Sequence, residues 1–327
     1  MKVLVTGGTG LLSGPLVSAL LQRGAEVTIF HRSSSGGNGP VRELTGDRTD
    51  YPEFVATVRA AGPWDCLVEM IGGVPGDAQS LIAAARGIAP HVIFCSTTTV
   101  YGRPFARVPV REEGALLDPP SPYGEGKLEC ERLLRAAEAD GDFAVTIMRP
   151  AHIYNERSLM LHSLGNRTSH LDRILQGRPI IVHDDGTGLW SSLWAADAAA
   201  ALAAAVYAPA ARGKTYHLAG SEIYSWNAYH ALLARALGAP APRILHVSAE
   251  TLAELAPARS LQCLRTLRHP GVYDCSEAGR DLDFRPEVPS SEGLVRNVQA
   301  LRDRERIESW TADGEYEQIV QSVQGTL

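Results

Sequence analysis

The sequence predicts an α/β fold: a doubly wound parallel sheet followed by a smaller C-terminal α/β lobe. Three observations predict it. Over about the first 150 residues, six β-rich segments alternate with helical ones. The first, Lys2 to Thr6, runs into Thr6-Gly7-Gly8-Thr9-Gly10-Leu11-Leu12-Ser13-Gly14 and then an apolar-periodic helix through Leu16, Leu20 and Leu21. Beyond residue 155 the pattern breaks into short elements punctuated by Pro and Gly, such as Gly186-Thr187-Gly188 and Ala239-Pro240-Ala241-Pro242.

Strand, glycine turn and helix in that order form a phosphate cradle, where backbone N–H groups and a helix N-terminus face a pyrophosphate. Gly7 and Gly10 are read as letting the backbone turn tightly and approach the phosphates; a tight turn needing glycine only for geometry is the plainer reading. Ala25 to Phe30 is the second strand. An acid at its end would bond a ribose 2′-hydroxyl, whereas an arginine accommodates a 2′-phosphate. The chain has Phe30-His31-Arg32-Ser33-Ser34 there, so NADP is favoured, with NAD allowed if Arg32 is solvated or lies flat on adenine.

Ser33 to Pro40 is Ser/Gly-rich and expected to be mobile. In Gly46-Asp47-Arg48, after a short third strand, Asp47 either accepts from the adenine amino group or caps the helix starting near Tyr51. Cys66 to Ile71 is the fourth strand, with Gly72-Gly73-Val74-Pro75 placing flexible backbone near a nicotinamide ribose. A helix over Ala78 to Arg86 follows. His91 to Cys95, the fifth strand, opens into Ser96-Thr97-Thr98-Thr99-Val100-Tyr101-Gly102. Hydroxyls at a strand's C-terminal end sit over the ligand crevice, and one of these threonines is expected to be catalytic while others satisfy the turn.

Ser121-Pro122 reads as a helix start, and Tyr123 and Lys127 then lie four apart on one face. A free tyrosine ionises near pH 10; a facing ammonium and a hydroxyl donor bring it toward neutrality, which makes a proton-transfer base for alcohol and ketone chemistry. Phe143 to Met148 is the sixth strand and ends in Arg149-Pro150-Ala151-His152-Ile153-Tyr154. Ser225 to Leu237 reads as a capped helix closed by Gly238, and Leu193 to Ala211 as a buried Ala-rich one.

The 327 residues carry 31 Lys and Arg against 37 Asp and Glu, a net charge of −6 that gives no footprint for nucleic acid. No long apolar run suggests a membrane span, and the chain opens directly on a strand with no secretory leader, so a cytoplasmic protein is expected. Five widely spaced cysteines without a Cys-x-x-Cys pair read as reduced thiols, and no metal site is expected.

These motifs resemble the extended short-chain dehydrogenase/reductase family, in its nucleotide-sugar epimerase and dehydratase branch, over nearly the full length. The matching pieces are Thr6-Gly7-Gly8-x-Gly10, Gly46-Asp47, Ser96-Thr97-x-x-Val100-Tyr101-Gly102, Tyr123-x-x-x-Lys127 and Arg149-Pro150, with later echoes in Asp185-Gly186-Thr187-Gly188, Asp197 and Tyr216-His217-Leu218-Ala219-Gly220. The resemblance implies a Rossmann domain over 1–155 and a substrate lobe over 156–327, with segments returning to the sheet. It makes Tyr123 the acid/base, Lys127 the residue that lowers its pKa and holds the nicotinamide ribose, and Thr97 the substrate-hydroxyl partner, with Ser96 the lesser candidate. The positions expected to hold the dinucleotide are Gly7, Thr9, Gly10, Leu11, Leu12, Arg32, Asp47, Arg48, Ile71, Gly72, Tyr123, Lys127 and Pro150.

Departures from the family pattern are Ser13 at the third glycine, expected to loosen helix packing slightly, His31 for the usual acid, and His152 and Tyr154-Asn155-Glu156 after the Arg-Pro strand. Thr98, His152, Asn155 and Trp190 are candidate substrate contacts. Trp190 with Trp194, at four-residue spacing, reads as lobe core. His170 with Arg173 suits a diphosphate or, more simply, solvent. An NAD(P)-dependent epimerase or related oxidoreductase on a nucleotide-linked sugar or nucleoside is the first expectation. An NADP(H)-dependent ketone reductase is the second, and a non-catalytic dinucleotide-sensing or RNA-associated scaffold the third. A small-molecule substrate and, by analogy, a homodimer are expected.

Overall fold

The computed structural model describes residues 1–33, 40–113, 121–159 and 161–326. Most of the stretch expected to be mobile, residues 34–39, lies outside the described residues. The chain runs β1 (Lys2–Thr6), α1 (Ser13–Gln22), β2 (Glu26–His31), β3 (Arg42–Thr45), α2 (Tyr51–Ala61), β4 (Cys66–Glu69), α3 (Pro75–Ala85), β5 (His91–Cys95), α4 (Pro122–Ala139) and β6 (Ala144–Pro150). Then come β7 (His152–Tyr154), α5 (Ser169–Leu175), β8 (Ile180–His183), β9 (Leu189–Trp190), β10 (Ser192–Trp194), α6 (Ala195–Tyr207), β11 (Thr215–Leu218), β12 (Tyr224–Ser225) and α7 (Trp226–Ala236). The chain closes with β13 (Ile244–Val247), α8 (Ala249–Leu255), α9 (Pro257–Gln262), α10 (Ser276–Leu282), α11 (Ser290–Asp303) and α12 (Gly314–Thr326).

Seven parallel strands form the central sheet in the order β11-β6-β5-β4-β1-β2-β3. Their runs of Val, Ile, Leu and Phe are buried on both faces, as a parallel sheet between helix layers requires. One face packs on α1, α6 and α10 (Leu16, Leu20, Leu202, Ala278), the other on α2, α3 and α4 (Phe54, Leu81, Leu134). The Rossmann architecture expected from the sequence is thus present, with β11, α6 and α10 supplied by the second half. Strand order reverses between β1 and β4, and a doubly wound sheet opens its ligand crevice at such a point, outside the strands' carboxyl ends.

The remaining core is aromatic: Trp190 stacks on Trp226 with ring centres 4.4 Å apart, against Tyr224, Tyr229 and Leu233. Trp190 and Trp194 are buried there as expected, but on successive strands, β9 and β10, rather than on one helix face. His170 and Arg173 depart from both expectations. Both are buried on α5: His170 lies against the rings of His162 and His230, and Arg173 faces α12, its Nη1 2.7 Å from Glu317 and its Nε donating to the Pro179 carbonyl. All five cysteines are free, and among the described residues no helix is long and apolar enough to cross a membrane.

Candidate active site

The glycine turn lies over the ends of β2 and β4. Gly7 (φ +90°) donates its N–H to the Phe30 carbonyl, and a Cβ on Gly8 (φ +77°) would sit 2.6 Å from Ile29 Cγ2, so this turn admits glycine alone. Ser13 does not loosen the helix. It is buried, and its Oγ accepts the Gly10 N–H at 2.9 Å, tying the turn to the first residue of α1. Beside this turn opens a cavity of about 610 Å³ walled by Gly7, Thr9, Gly10, Arg32, Asp47 and Ile71, among others. Its size and its glycine floor at a helix N-terminus fit the adenosine and phosphate half of a dinucleotide.

Arg32 is exposed on this wall beside Ser33, and His31, which replaces an acid, also stands in the wall with its Nε2 3.4 Å from Glu43. Asp47 does not cap α2. Its carboxylate accepts from the amide and hydroxyl of Thr49, which hold it below the usual carboxylate range, and the cap is Asp50, which accepts from Glu53 N. Arg48 reaches the same cavity but its guanidinium is engaged: Glu69 binds it at 3.0 and 2.8 Å, Ser80 and the Asp77 carbonyl complete its shell, and Phe54 lies beneath it. Glu69 also accepts from Ile71 N and Gly72 N, so this buried pair fixes the β4 loop. Leu11 and Leu12 lead into α1, and Pro150 is buried in β6 opposite Leu218; none of the three lines the cavity.

Helix α4 starts at Ser121, whose hydroxyl accepts from Gly124 N, with Pro122 in its first turn. Tyr123 and Lys127 share a face as the spacing predicts, but with opposite exposure: Tyr123 is 55% exposed and Lys127 3%. Lys127 Nζ donates to the Cys95 carbonyl at 2.7 Å and lies 5.9 Å from the centre of the Tyr123 ring. The phenol is therefore not brought toward neutrality. Desolvation around the Tyr123 hydroxyl pushes it up to about 12, and at neutral pH it keeps its proton. Glu131 adds a third group to the face one turn on. It binds Arg149 through both oxygens, at 3.0 and 2.5 Å, and accepts from the Ser96 hydroxyl. Arg149 in turn donates to Tyr101 OH at 2.7 Å, and Tyr101 meets His217 Nε2 at 2.6 Å.

Helix α4 thus pins the end of β5 twice, at Cys95 through Lys127 and at Ser96 through Glu131. Thr97 follows at once. Its hydroxyl accepts the Thr99 amide at 3.1 Å and donates to the Thr99 hydroxyl, satisfying the turn while facing a second cavity of about 240 Å³. Thr98, His152 and Trp190 line that cavity. Asn155 does not: it bonds the Leu11 carbonyl and the Arg157 amide, joining the end of β7 to the glycine turn. Burial pushes His152 down to about 4, so it stands neutral in the wall.

Sequence reasoning missed Glu131, although its spacing of four from Lys127 on an established helix would have found it. It also missed the far wall of this cavity, Arg103 and residues 262–273, whose arrival no local pattern signals.

Residues 3–219 match the model of the NAD dependent epimerase/dehydratase family. The chain belongs to that family. It is accordingly an enzyme of the epimerase/dehydratase type that works with a nicotinamide dinucleotide. It is similar to 2'-dehydrokanamycin reductase of Streptomyces kanamyceticus, 32% identical over 242 residues that cover 73% of this chain and 68% of that one. It is also similar to UDP-glucose 4-epimerase of Mycolicibacterium smegmatis, 26% identical over 93% of this chain and 99% of that one. Among solved structures, UDP-glucuronic acid 4-epimerase from Bacillus cereus in complex with NAD shares the fold, with a TM-score of 0.70 at 20% identity over 93% of this chain and 99% of that one. This epimerase/dehydratase-family enzyme gathers Tyr123, Lys127 and the Thr97 turn on the carboxyl side of β5, next to the glycine turn's own crevice.

Proposed function

We propose that the enzyme interconverts a hydroxyl and a keto group on a sugar-type substrate, with NADP(H) as the preferred dinucleotide. Tyr123 is the acid/base, Lys127 its cationic neighbour and Thr97 the partner of the substrate oxygen. The observation that carries this reading is the α4 face, which sets a phenol and a buried ammonium beside the β5 end that leads into the Thr97 cavity. A bound nicotinamide supplies the hydride donor or acceptor at the reacting carbon. In the reducing direction Tyr123 gives its proton to the carbonyl oxygen, and the Lys127 charge favours the phenolate left behind.

Arg32 favours a ketone reductase as the second reading beside an epimerase, in keeping with the reductases among the relatives. Gly7, Thr9, Gly10, Ile71 and Gly72 would hold the dinucleotide's phosphates and ribose. Arg32 and Ser33 would hold a 2′-phosphate, since no carboxylate stands at the end of β2. Residues 156–327, less the segments on the sheet, would form the substrate lobe. Tyr123→Phe is expected to lower turnover by about 10²- to 10⁴-fold and leave dinucleotide affinity unchanged. Undiminished turnover in that variant excludes Tyr123 as the acid/base.

A further inference from the structure

Five successive amides after β4 are taken by side-chain oxygens. Met70 N donates to the Thr6 hydroxyl at 2.9 Å, Ile71 N and Gly72 N to Glu69 Oε1 at 3.0 and 2.9 Å, and Gly73 N and Val74 N to Asp77 Oδ2 at 2.8 and 3.1 Å. The Thr6 hydroxyl in turn donates to Glu69 Oε1, which ties this loop to the residue that opens the glycine turn. Ile71 packs on that turn, its Cγ2 3.2 Å from where a Cβ on Gly7 would stand, and keeps half of its own surface exposed in the cavity wall.

Both carboxylates use one oxygen on the loop and turn the other to Arg48. Glu69 Oε2 accepts from Arg48 Nε and Nη2 at 3.0 and 2.8 Å, and Asp77 Oδ1 lies 3.9 Å from Nη1. Nη1 also donates to the Ser80 hydroxyl and Nη2 to the Asp77 carbonyl, so every nitrogen of this guanidinium has a protein acceptor. Arg48 thus stands in the cavity wall with no nitrogen free for a phosphate. What it holds is two buried carboxylates on one cation. Without that cation, two desolvated anions would share one loop, a state relieved by admitting water, taking up a proton or moving apart. Each of these loosens the amides that the carboxylates now hold.

We infer that Arg48 is a positioning residue of the dinucleotide site: it binds no part of the dinucleotide, and by clamping Glu69 and Asp77 it holds residues 70–74 in the shape the dinucleotide meets. The inference rests on the reading of the cavity beside the glycine turn as the dinucleotide site. It gives the two arginines of that wall separate tasks. Arg32, exposed, meets the 2′-phosphate, and Arg48, buried, meets only protein.

The test titrates the full chain with NADPH and NADH, following reduced-nicotinamide fluorescence at a temperature where circular dichroism shows each protein folded. Arg48→Met is expected to weaken both dinucleotides alike, by about 10- to 100-fold, because the loop meets parts they share. Arg48→Met combined with Glu69→Gln removes one carboxylate along with the cation, and the introduced carboxamide oxygen still accepts from Ile71 and Gly72. Binding is then expected to return to within about threefold of wild type. Arg48→Lys keeps the charge without the fork and is expected to lose several-fold; with the double variant it carries the comparison if Arg48→Met alone does not fold. A loss confined to NADPH, or a double variant as weak as the single one, makes Arg48 a direct ligand and overturns the inference. Arg48 variants that bind as the wild type does overturn it too. Saturation of the wild type by neither dinucleotide overturns the reading of the cavity, and the inference with it.

Discussion

The walls of the cavity beside the glycine turn come from residues 7 to 77, whereas those of the Thr97 cavity come from residues 97 to 273, in at least six separate stretches. The first is built where successive strands of one sheet end, so its wall residues lie at, or within eight residues beyond, the ends of β1, β2, β3 and β4. The second forms where the Thr97 turn meets strands β7 and β9, helix α7 and the turn after α9, none of which is adjacent to the next in the chain. Neighbouring βα units make a site that a sequence can announce. A site assembled from distant segments is announced only by its individual residues.

The two regions also differ in how many buried histidines they hold, and acid is expected to separate them most. His170 and His183 of the lobe are each pushed down to about 4 by burial, and His162 and His230 lie well below their ordinary value, with ring nitrogens that have no hydrogen-bond partner among the described residues in the His162, His170 and His230 group. In the unfolded chain these groups titrate near 6.5. Between about pH 6.5 and 4 the unfolded state binds more protons, so their stabilisation is present above that window and is lost as pH falls through it. The six strands from β1 to β6 carry two buried histidines, of which His91 is lowered to about 4. Hydrogen exchange at about pH 5 is expected to open α5 and α7 before β4 and β5. Uniform opening would erase the contrast.

A smaller loss follows at the joint between the regions. Glu131→Gln leaves the buried Arg149 guanidinium without its carboxylate, and about 3–5 kcal/mol of stability should go with it. Denaturant unfolding measures this; a shift under 1 kcal/mol would show the pair to be dispensable. Gly126 stands between Tyr123 and Lys127 on α4, and a Cβ there would strike the Gly73 carbonyl oxygen. Gly126→Ala is expected to cost about 1–3 kcal/mol by overpacking and to weaken dinucleotide binding by moving the Gly72-Gly73 loop. An unchanged unfolding midpoint would mean the helix has room the contact denies.

What was legible in the sequence follows the same division. The sheet is written in short continuous apolar runs, the glycine turn in its glycines after the first run, and the shared face of Tyr123 and Lys127 in a spacing of four, and the structure has all three. The electrostatics were not legible. Lys127 was expected to lower the phenol of Tyr123; its ammonium donates to the Cys95 carbonyl, and desolvation is the larger influence on the phenol. Arg48 was expected at the cofactor; it stands in the wall of the cavity beside the glycine turn, but its guanidinium is held by Glu69, 21 positions on, which no local pattern signals. Partners that far apart are set by strand order, which no local window contains. The lobe aromatics were placed correctly in a core for an incorrect reason, because a spacing of four also joins two consecutive strands.

The smallest substitution effect belongs to Arg32, and it leads to the most direct measurement. Reduced-nicotinamide fluorescence, titrated with NADPH and with NADH, needs no knowledge of the substrate. Saturable binding is expected with NADPH at least about tenfold tighter, as a charge-assisted contact to a 2′-phosphate implies, and Arg32→Ala should remove that preference while sparing NADH. Saturation with neither dinucleotide would contradict the assignment of the cavity beside Gly7 and Gly10 as the cofactor site.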